Sequence, residues 1–344
     1  MSTSWTVTRA LDVHWTPPVP PKKPGRLEKD LEALRPALTD PDTPASHAIL
    51  RTALKKSISF VAAKAAFVIR DHSLGGFEDE LKAAFERFMK DPVKTDPGCR
   101  AKLAALEALD HLDSLDSTPF LTAIRTTQRE PAWGGPTDTA GGLRARGALG
   151  LARQGHVDFM LLMADLLADP EAQVREAAAI AIAHHGAPPG AGLLQLKARV
   201  GDPEPAVILA CLSGLISLVP GWGVAKAAVH LRGQDGDLHE VAALALGESR
   251  REDALDELLS ALWSEALPQR RSVLLRALGL HRSDRAVEAL LRVIATGDEV
   301  DAKLAVDSLS VRSAGPGMVE RIRAAAARNP NVDLTAMIRG ALPD

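Results

Sequence analysis

Asp169-Pro170-Glu171-Ala172-Gln173-Val174-Arg175-Glu176-Ala177-Ala178-Ala179-Ile180-Ala181-Ile182-Ala183-His184-His185-Gly186 is the stretch on which the fold turns. Before it, Phe159, Leu162, Met163, Leu166 and Leu167 recur at helical spacing. Asp169-Pro170 breaks that helix. Proline is tolerated in the first turn of the next helix, where its missing N–H would be unpaired anyway, and Asp169 is expected at the N-cap. The second helix should run to about His185 and stop at Gly186. The unit is therefore a pair of short helices joined by a tight acidic turn.

The same grammar recurs along the chain. A small-then-large apolar step, Ala181-Ile182, returns as Gly214-Leu215, Ala245-Leu246, Ala277-Leu278 and Ser308-Leu309, at intervals of 33, 31, 32 and 31 residues. Going backward, Ala148-Leu149 lies 33 residues before Ala181, and Ala108-Leu109 lies 40 before Ala148, which implies an insertion of about 8. Asp202-Pro203, Gly236-Asp237, Gly297-Asp298 and Asn329-Pro330 punctuate the later units. Two helices of this length cannot bury their apolar faces alone, whereas stacked pairs bury a continuous core.

This pattern, Asp169-Pro170 followed by Val174-Arg175 and Ala178, resembles the HEAT-repeat, or armadillo-like, family of α-solenoids, of the bacterial type. The resemblance covers residues 76–328 well and 26–75 more loosely. It implies an all-α, right-handed α-solenoid of about 8 helix pairs, and a curved surface whose concave side is lined by the second helices.

Composition agrees. Apolar residues are 46% of the chain but aromatics only 3%, with no Tyr, so the core is built from Ala and Leu, which favour helix over sheet. A formal charge of −3 argues against a dedicated nucleic-acid binder. Cys99 and Cys211 form neither a CxxC pair nor a disulfide framework, which points to a reducing, cytoplasmic location. The N-terminus has no apolar signal-like core, and no stretch approaches 18 uninterrupted apolar residues, so neither a leader nor a membrane span is expected.

From end to end, residues 1–25 read as a Pro-rich tail, extended over Thr16 to Pro24, with Trp5 and Trp15 available to pin it back. Residues 26–344 read as one solenoid. Its parts are an atypical N-terminal cap at 26–75, repeats at 76–328 with an inserted loop at 129–140, and a C-terminal cap at 329–344. In the cap, Leu27, Leu31 and Leu34 mark a short helix, and His47 to Arg70 a long or broken one.

The insertion carries Glu130-Pro131-Ala132-Trp133-Gly134-Gly135-Pro136-Thr137-Asp138-Thr139, a shaped loop rather than a flexible linker. Asp138 or Thr137 could cap the helix that follows. Trp133 either folds back over the core edge or serves as an anchor for a partner, as tryptophans do at interface hot spots. The segment Asp96 to Lys102 lies one repeat earlier and should sit beside the loop.

A second feature is a register. Six residues before each small-large step stand Lys102, Arg175, Ile208, His239 and Arg271. Stacking aligns these positions, either to pair with turn acids such as Asp169 and Asp202 or to present cations to a partner. Further cations at Arg232, Arg250, Arg251, Arg270 and Arg276 keep a nucleic-acid alternative open, opposed by Glu248, Glu252 and Asp253.

The run His239-Glu240-Val241-Ala242-Ala243-Leu244-Ala245-Leu246-Gly247 resembles a repeat of deoxyhypusine hydroxylase, a HEAT-like di-iron enzyme whose His-Glu pairs recur across repeats. Here the pair occurs once, and the aligned positions hold Arg175-Glu176, Ile208-Leu209 and Arg271-Ser272. An iron pair needs ligands converging from several repeats, so no metal site is expected. HEAT-like phycobilin lyases and DNA glycosylases share the architecture, but no residue here singles them out. His184-His185 reads as a helix-end pair, and Cys99, after a Pro-Gly turn at a helix start where a thiol pKa can fall, reads as a buried or capping cysteine because no base or partner accompanies it. No nucleophile elbow or phosphate-cradling loop is present. The expectation is a non-enzymatic scaffold without cofactor, binding a protein or peptide through Trp133, Asp138, Lys102, Arg175, His239 and Arg271.

Overall fold

The computed structural model describes residues 25–310, 316–330, 332–334 and 337–338. The expected tail over Thr16 to Pro24, Trp5 and Trp15 lie outside the described residues, as does most of the closing helix expected from Val332 to Leu342.

The chain is an all-α solenoid. It opens with α1 (Arg26–Thr39), followed by α2 (Pro44–Leu54) and α3 (Ser59–Asp71). The stretch from His47 to Arg70 is thus broken, at residues 55–58. Thr43 caps α2 by accepting the Ser46 amide, with Pro44 in the first turn where it costs no hydrogen bond. Next come α4 (Glu78–Phe88), α5 (Pro92–Thr95), a 3₁₀ turn (Pro97–Cys99) and α6 (Arg100–His111). The inserted segment lies between α7 (Thr118–Ile124) and α8 (Gly141–Gln154).

Five further pairs follow. They are α9 (Phe159–Leu166) with α10 (Ala172–His185), α11 (Gly190–Val200) with α12 (Pro205–Leu218), and α13 (Pro220–Leu231) with α14 (Gly236–Ser249). Then come α15 (Glu252–Ser264) with α16 (Pro268–His281), α17 (Asp284–Thr296) with α18 (Glu299–Ser310), and a further helix α19 (Pro316–Ala326). Among the described residues no helix is long and apolar enough to cross a membrane.

The second helices form the spine. α3, α6, α8, α10, α12, α14, α16 and α18 each pack on the next, and the first helices cover one side. Their small-large steps lie in one continuous core with Ala108, Leu109, Ala181, Ile182, Leu215, Leu246, Leu278 and Leu309 all buried. The small member of each step lets neighbouring backbones close in. A Cβ at Gly247 would lie 2.4 Å from the Ala277 carbonyl oxygen of the next spine helix.

Two local expectations are corrected. The step in α8 is Gly150-Leu151 rather than Ala148-Leu149. Leu151 is fully buried while Leu149 is only half-buried, and Gly150 faces the Phe120 ring so closely that a Cβ would meet it at 2.3 Å. The interval back to Ala108 is then 42 residues and the interval forward to Ala181 is 31. Second, Asp169 stands two residues ahead of the α10 N-cap, Glu171, and accepts its amide in an Asx turn. Gly186 ends α10 in the left-handed region, as its position suggested.

Candidate protein-docking site

With the α8 register corrected, the row of aligned residues becomes Lys102, Arg144, Arg175, Ile208, His239 and Arg271. Six residues before each stands Asp96, Asp138, Asp169, Asp202, Gly233 and Glu265. Base and acid form a repeating lock. Arg144 grips Asp169 of the following turn through Nε and Nη2, both at 2.8 Å. Arg175 grips Asp202 the same way at 2.7 and 2.8 Å, while its Nη1 donates to the Asp169 and Pro170 carbonyls of its own turn. Arg271 donates to Asp301 at 2.7 Å. Bidentate guanidinium–carboxylate geometry fixes the spacing of successive repeats as well as their affinity.

The acids are doubly used. Asp138, Asp169, Asp202 and Glu265 each accept the amide two residues on, shaping the turn that starts the next spine helix. The Arg175 side chain, assisted by Lys197 and outweighing burial, holds the Asp202 carboxyl far below the usual carboxylate range. Among the described residues the lock lapses along α12, α14 and α16, where Ile208 and Gly233 offer neither charge and His239 bonds the Leu231 and Arg270 carbonyls while Glu265 pairs with Arg270. Asp235, two residues beyond Gly233, caps α14 directly.

Four of the six residues expected to bind a partner are committed within the chain. Lys102 is 0% exposed, and its ammonium donates to Gln128 Oε1 at 2.7 Å with Asp96 Oδ2 at 3.4 Å. Arg175 and Arg271 serve the locks above. His239 is buried with Nδ1 2.8 Å from the Leu231 carbonyl, beside the Arg270 guanidinium. Glu240 is exposed, so the two members of the His-Glu pair face apart. Among the described residues no group of three or more His, Cys, Asp or Glu is placed to hold a metal ion. The cations weighed for nucleic acid are partly spent as well: Arg232 pairs with Glu257, Arg251 with Asp253 and Arg270 with Glu265. His185 stacks on Phe159 with ring centroids 4.5 Å apart, and His184 is exposed.

The remaining two residues belong to the inserted segment. It forms a small antiparallel hairpin of β1 (Arg129–Glu130) and β2 (Thr137–Asp138). Its base is over-determined. Glu130 Oε1 accepts the Gly98 amide at 2.6 Å, Gln128 Nε2 at 2.6 Å and the Thr139 hydroxyl at 2.7 Å. The Gly98 amide is the main reason its carboxyl sits below the ordinary value. Asp138 takes the Gln128 and Ala140 amides, both at 3.0 Å, and the Arg144 guanidinium at 2.6 Å. Burial opposes ionisation of Asp138, but these donors outweigh it and hold its carboxyl low.

The segment from Asp96 to Lys102 does sit beside the loop. Gln128 donates to the Asp96 carbonyl, and Asp96 accepts the amides of Ala101 and Lys102 at the start of α6. Gly98 and Cys99 both take left-handed backbone angles there. The Cys99 thiol is buried, as expected, and burial pushes its pKa up rather than down.

Above this clamped base the tip turns through Gly134 (φ 98°) and Gly135 (φ 125°), conformations that favour glycine. Trp133 stands free at the tip with 105% relative exposure. Of the two positions open to it from sequence, the structure shows the outward one. The pairing of the row with turn acids such as Asp202 is the one the sequence offered, whereas Arg144 and Glu265 are the residues that sequence reading missed. The acid-x5-base spacing, Asp138 to Arg144, was the signal that could have found them.

No family model matches the chain, and no curated protein matches it in sequence. Solved structures of similar outline include the complex of CpcE and CpcF of phycocyanin lyase from Nostoc sp. PCC7120, at 15% identity and a TM-score of 0.36, covering 82% of this chain and 94% of that one. An engineered protein matches at 15% identity and a TM-score of 0.37, covering 90% of this chain and 89% of its own.

Proposed function

We propose that this solenoid is a non-enzymatic scaffold that binds another protein, and that the partner docks over the hairpin with Trp133 as its anchor. The observation that carries the reading is a fully exposed tryptophan on a loop whose base is fixed by two carboxylates. An indole held out by a rigid support loses little conformational freedom on binding and buries a large area, which is the profile of a hot spot. Lys102, Arg175, His239 and Arg271 contribute from behind, by holding the repeats and the loop base in place, and Asp138 ties the hairpin to that frame.

The test is capture from native cells with wild-type protein, Trp133→Ala, and a photo-crosslinking side chain at position 133. A discrete protein should be recovered by wild type, crosslinked from position 133 and lost with Trp133→Ala. Equal recovery by Trp133→Ala would overturn the assignment.

A further inference from the structure

We propose a second docking site, on the layer of first helices: the groove between α11 and α13 takes an acidic peptide segment that carries a bulky apolar residue. The groove encloses about 210 Å3 between Ala198, Arg199, Leu212, Lys226, Val229 and their neighbours. That is below the roughly 300–1,000 Å3 of small-molecule pockets and suits a side-chain anchor. Its floor is apolar, with Ala198 and Leu212 buried, and Val229 is exposed on its rim. Leu196 and Val200, next to the lining residues in α11, are exposed as well.

Trp222 stands beside the groove, more than half exposed. Its Nε1–H reaches Gln195 Oε1 at 3.4 Å, and the Lys226 ammonium lies 4.5 Å from its ring centroid. The indole is therefore oriented rather than free to rotate away, and it offers a flat apolar wall.

Charge selects the occupant. No carboxylate lines the groove, and among the described residues no acid pairs with Arg199 or Lys226. Several other cations of the first-helix layer are neutralised locally, Arg232 by Glu257, Arg285 by Glu252 and Asp256, and Arg321 by Glu288, whereas Arg292 lies over Trp263 without a paired acid among the described residues. Lys197, on the same helix as Arg199, is committed to the buried Asp202. Two unneutralised cations above an apolar floor complement carboxylates flanking an apolar side chain and repel a basic segment. The site is independent of Trp133, which belongs to the loop between α7 and α8.

The probe is the peptide EELLEELL-amide carrying fluorescein on its N-terminal amine, titrated by anisotropy. Its controls are the same peptide with serine for leucine and with lysine for glutamate. Wild type and Trp133→Ala should bind the first peptide equally, with affinity that falls as salt rises, and neither control should bind comparably. Arg199→Glu combined with Lys226→Glu should weaken binding about tenfold or more, the scale of a reversed charge pair at an interface rim. Val229→Glu, an exposed rim change, should do so without the double charge reversal, and retained far-UV circular dichroism checks that each variant is folded. No binding by wild type, equal binding by the double variant, or equal binding of the serine peptide would each overturn the proposal.

Discussion

Asp202 shows how much one side chain can carry in this protein. It accepts a bidentate guanidinium from Arg175, an ammonium from Lys197 and the Glu204 amide. Its folded-state pKa therefore lies below the unfolded value of about 3.9. Between those two values the unfolded chain holds the extra proton. The stability contributed by Asp202 is whole above about pH 5 and is lost progressively as pH falls through the carboxylate range. Asp202→Asn keeps the turn amide but loses the charge. Urea unfolding from pH 6 to pH 3 should therefore show a shallower decline for Asp202→Asn than for wild type, and parallel declines would refute this account of the lock. Cys211 is a different kind of buried group. Its thiol is pushed up to about 12 by burial and stays neutral at any pH in that series.

The spine helix is the element at which small residues and packing meet. In α14, Gly247 lies against the Ala277 backbone, so adding a methyl forces α14 and α16 apart. That clash outweighs the roughly 1 kcal/mol by which alanine exceeds glycine in a helix interior. Gly247→Ala should destabilise by about 1–2 kcal/mol. Gly236→Ala, in the first turn of the same helix with nothing within 4 Å, should stay within about 0.5 kcal/mol of wild type by the same urea titration.

The helices were legible because Ala-Leu periodicity and Asp-Pro or Gly-Asp breakers agree over many units. The slip in α8 arose because Ala148-Leu149 and Gly150-Leu151 both read as a small-large step. The acid at −6 breaks that tie, and the inserted loop hid it by moving Asp138 away from its usual distance behind α7. The direction of Trp133 was not legible at all. It follows from two left-handed glycines and from Glu130 bonding back to Gly98, 32 residues away.

Across the whole molecule the locks divide the stack. Arg146 and Asp110 tie α6 to α8, Arg144 and Asp169, and Arg175 and Asp202, tie the repeats on to α12, and Arg271 with Asp301 ties α16 to α18. Between α12 and α14 the lock register is held by Ile208 and Gly233, and apolar packing replaces the ion pair. In a linear array, stability is a sum of repeat terms and neighbour terms, so opening follows the weakest boundary. Native-state hydrogen exchange of the full chain should therefore show a step in opening free energy between α12 and α14. Lowering the pH through the carboxylate range should reduce protection in α8 and α10 more than in α14. Uniform protection across the boundary would argue against this division.

The neutral joint also bears on how such a chain changes length. At each locked boundary a repeat holds half of its neighbour's ion pair, so deleting or duplicating one there leaves a carboxylate or guanidinium stranded in the interior, at about 3–5 kcal/mol for a broken buried pair. At the seam of Ile208 and Gly233 no such half-pair exists. Genetic exchange that splices whole repeats in or out at this seam leaves every lock complete on both sides, which makes it a place where the array can be lengthened, shortened or grafted onto another.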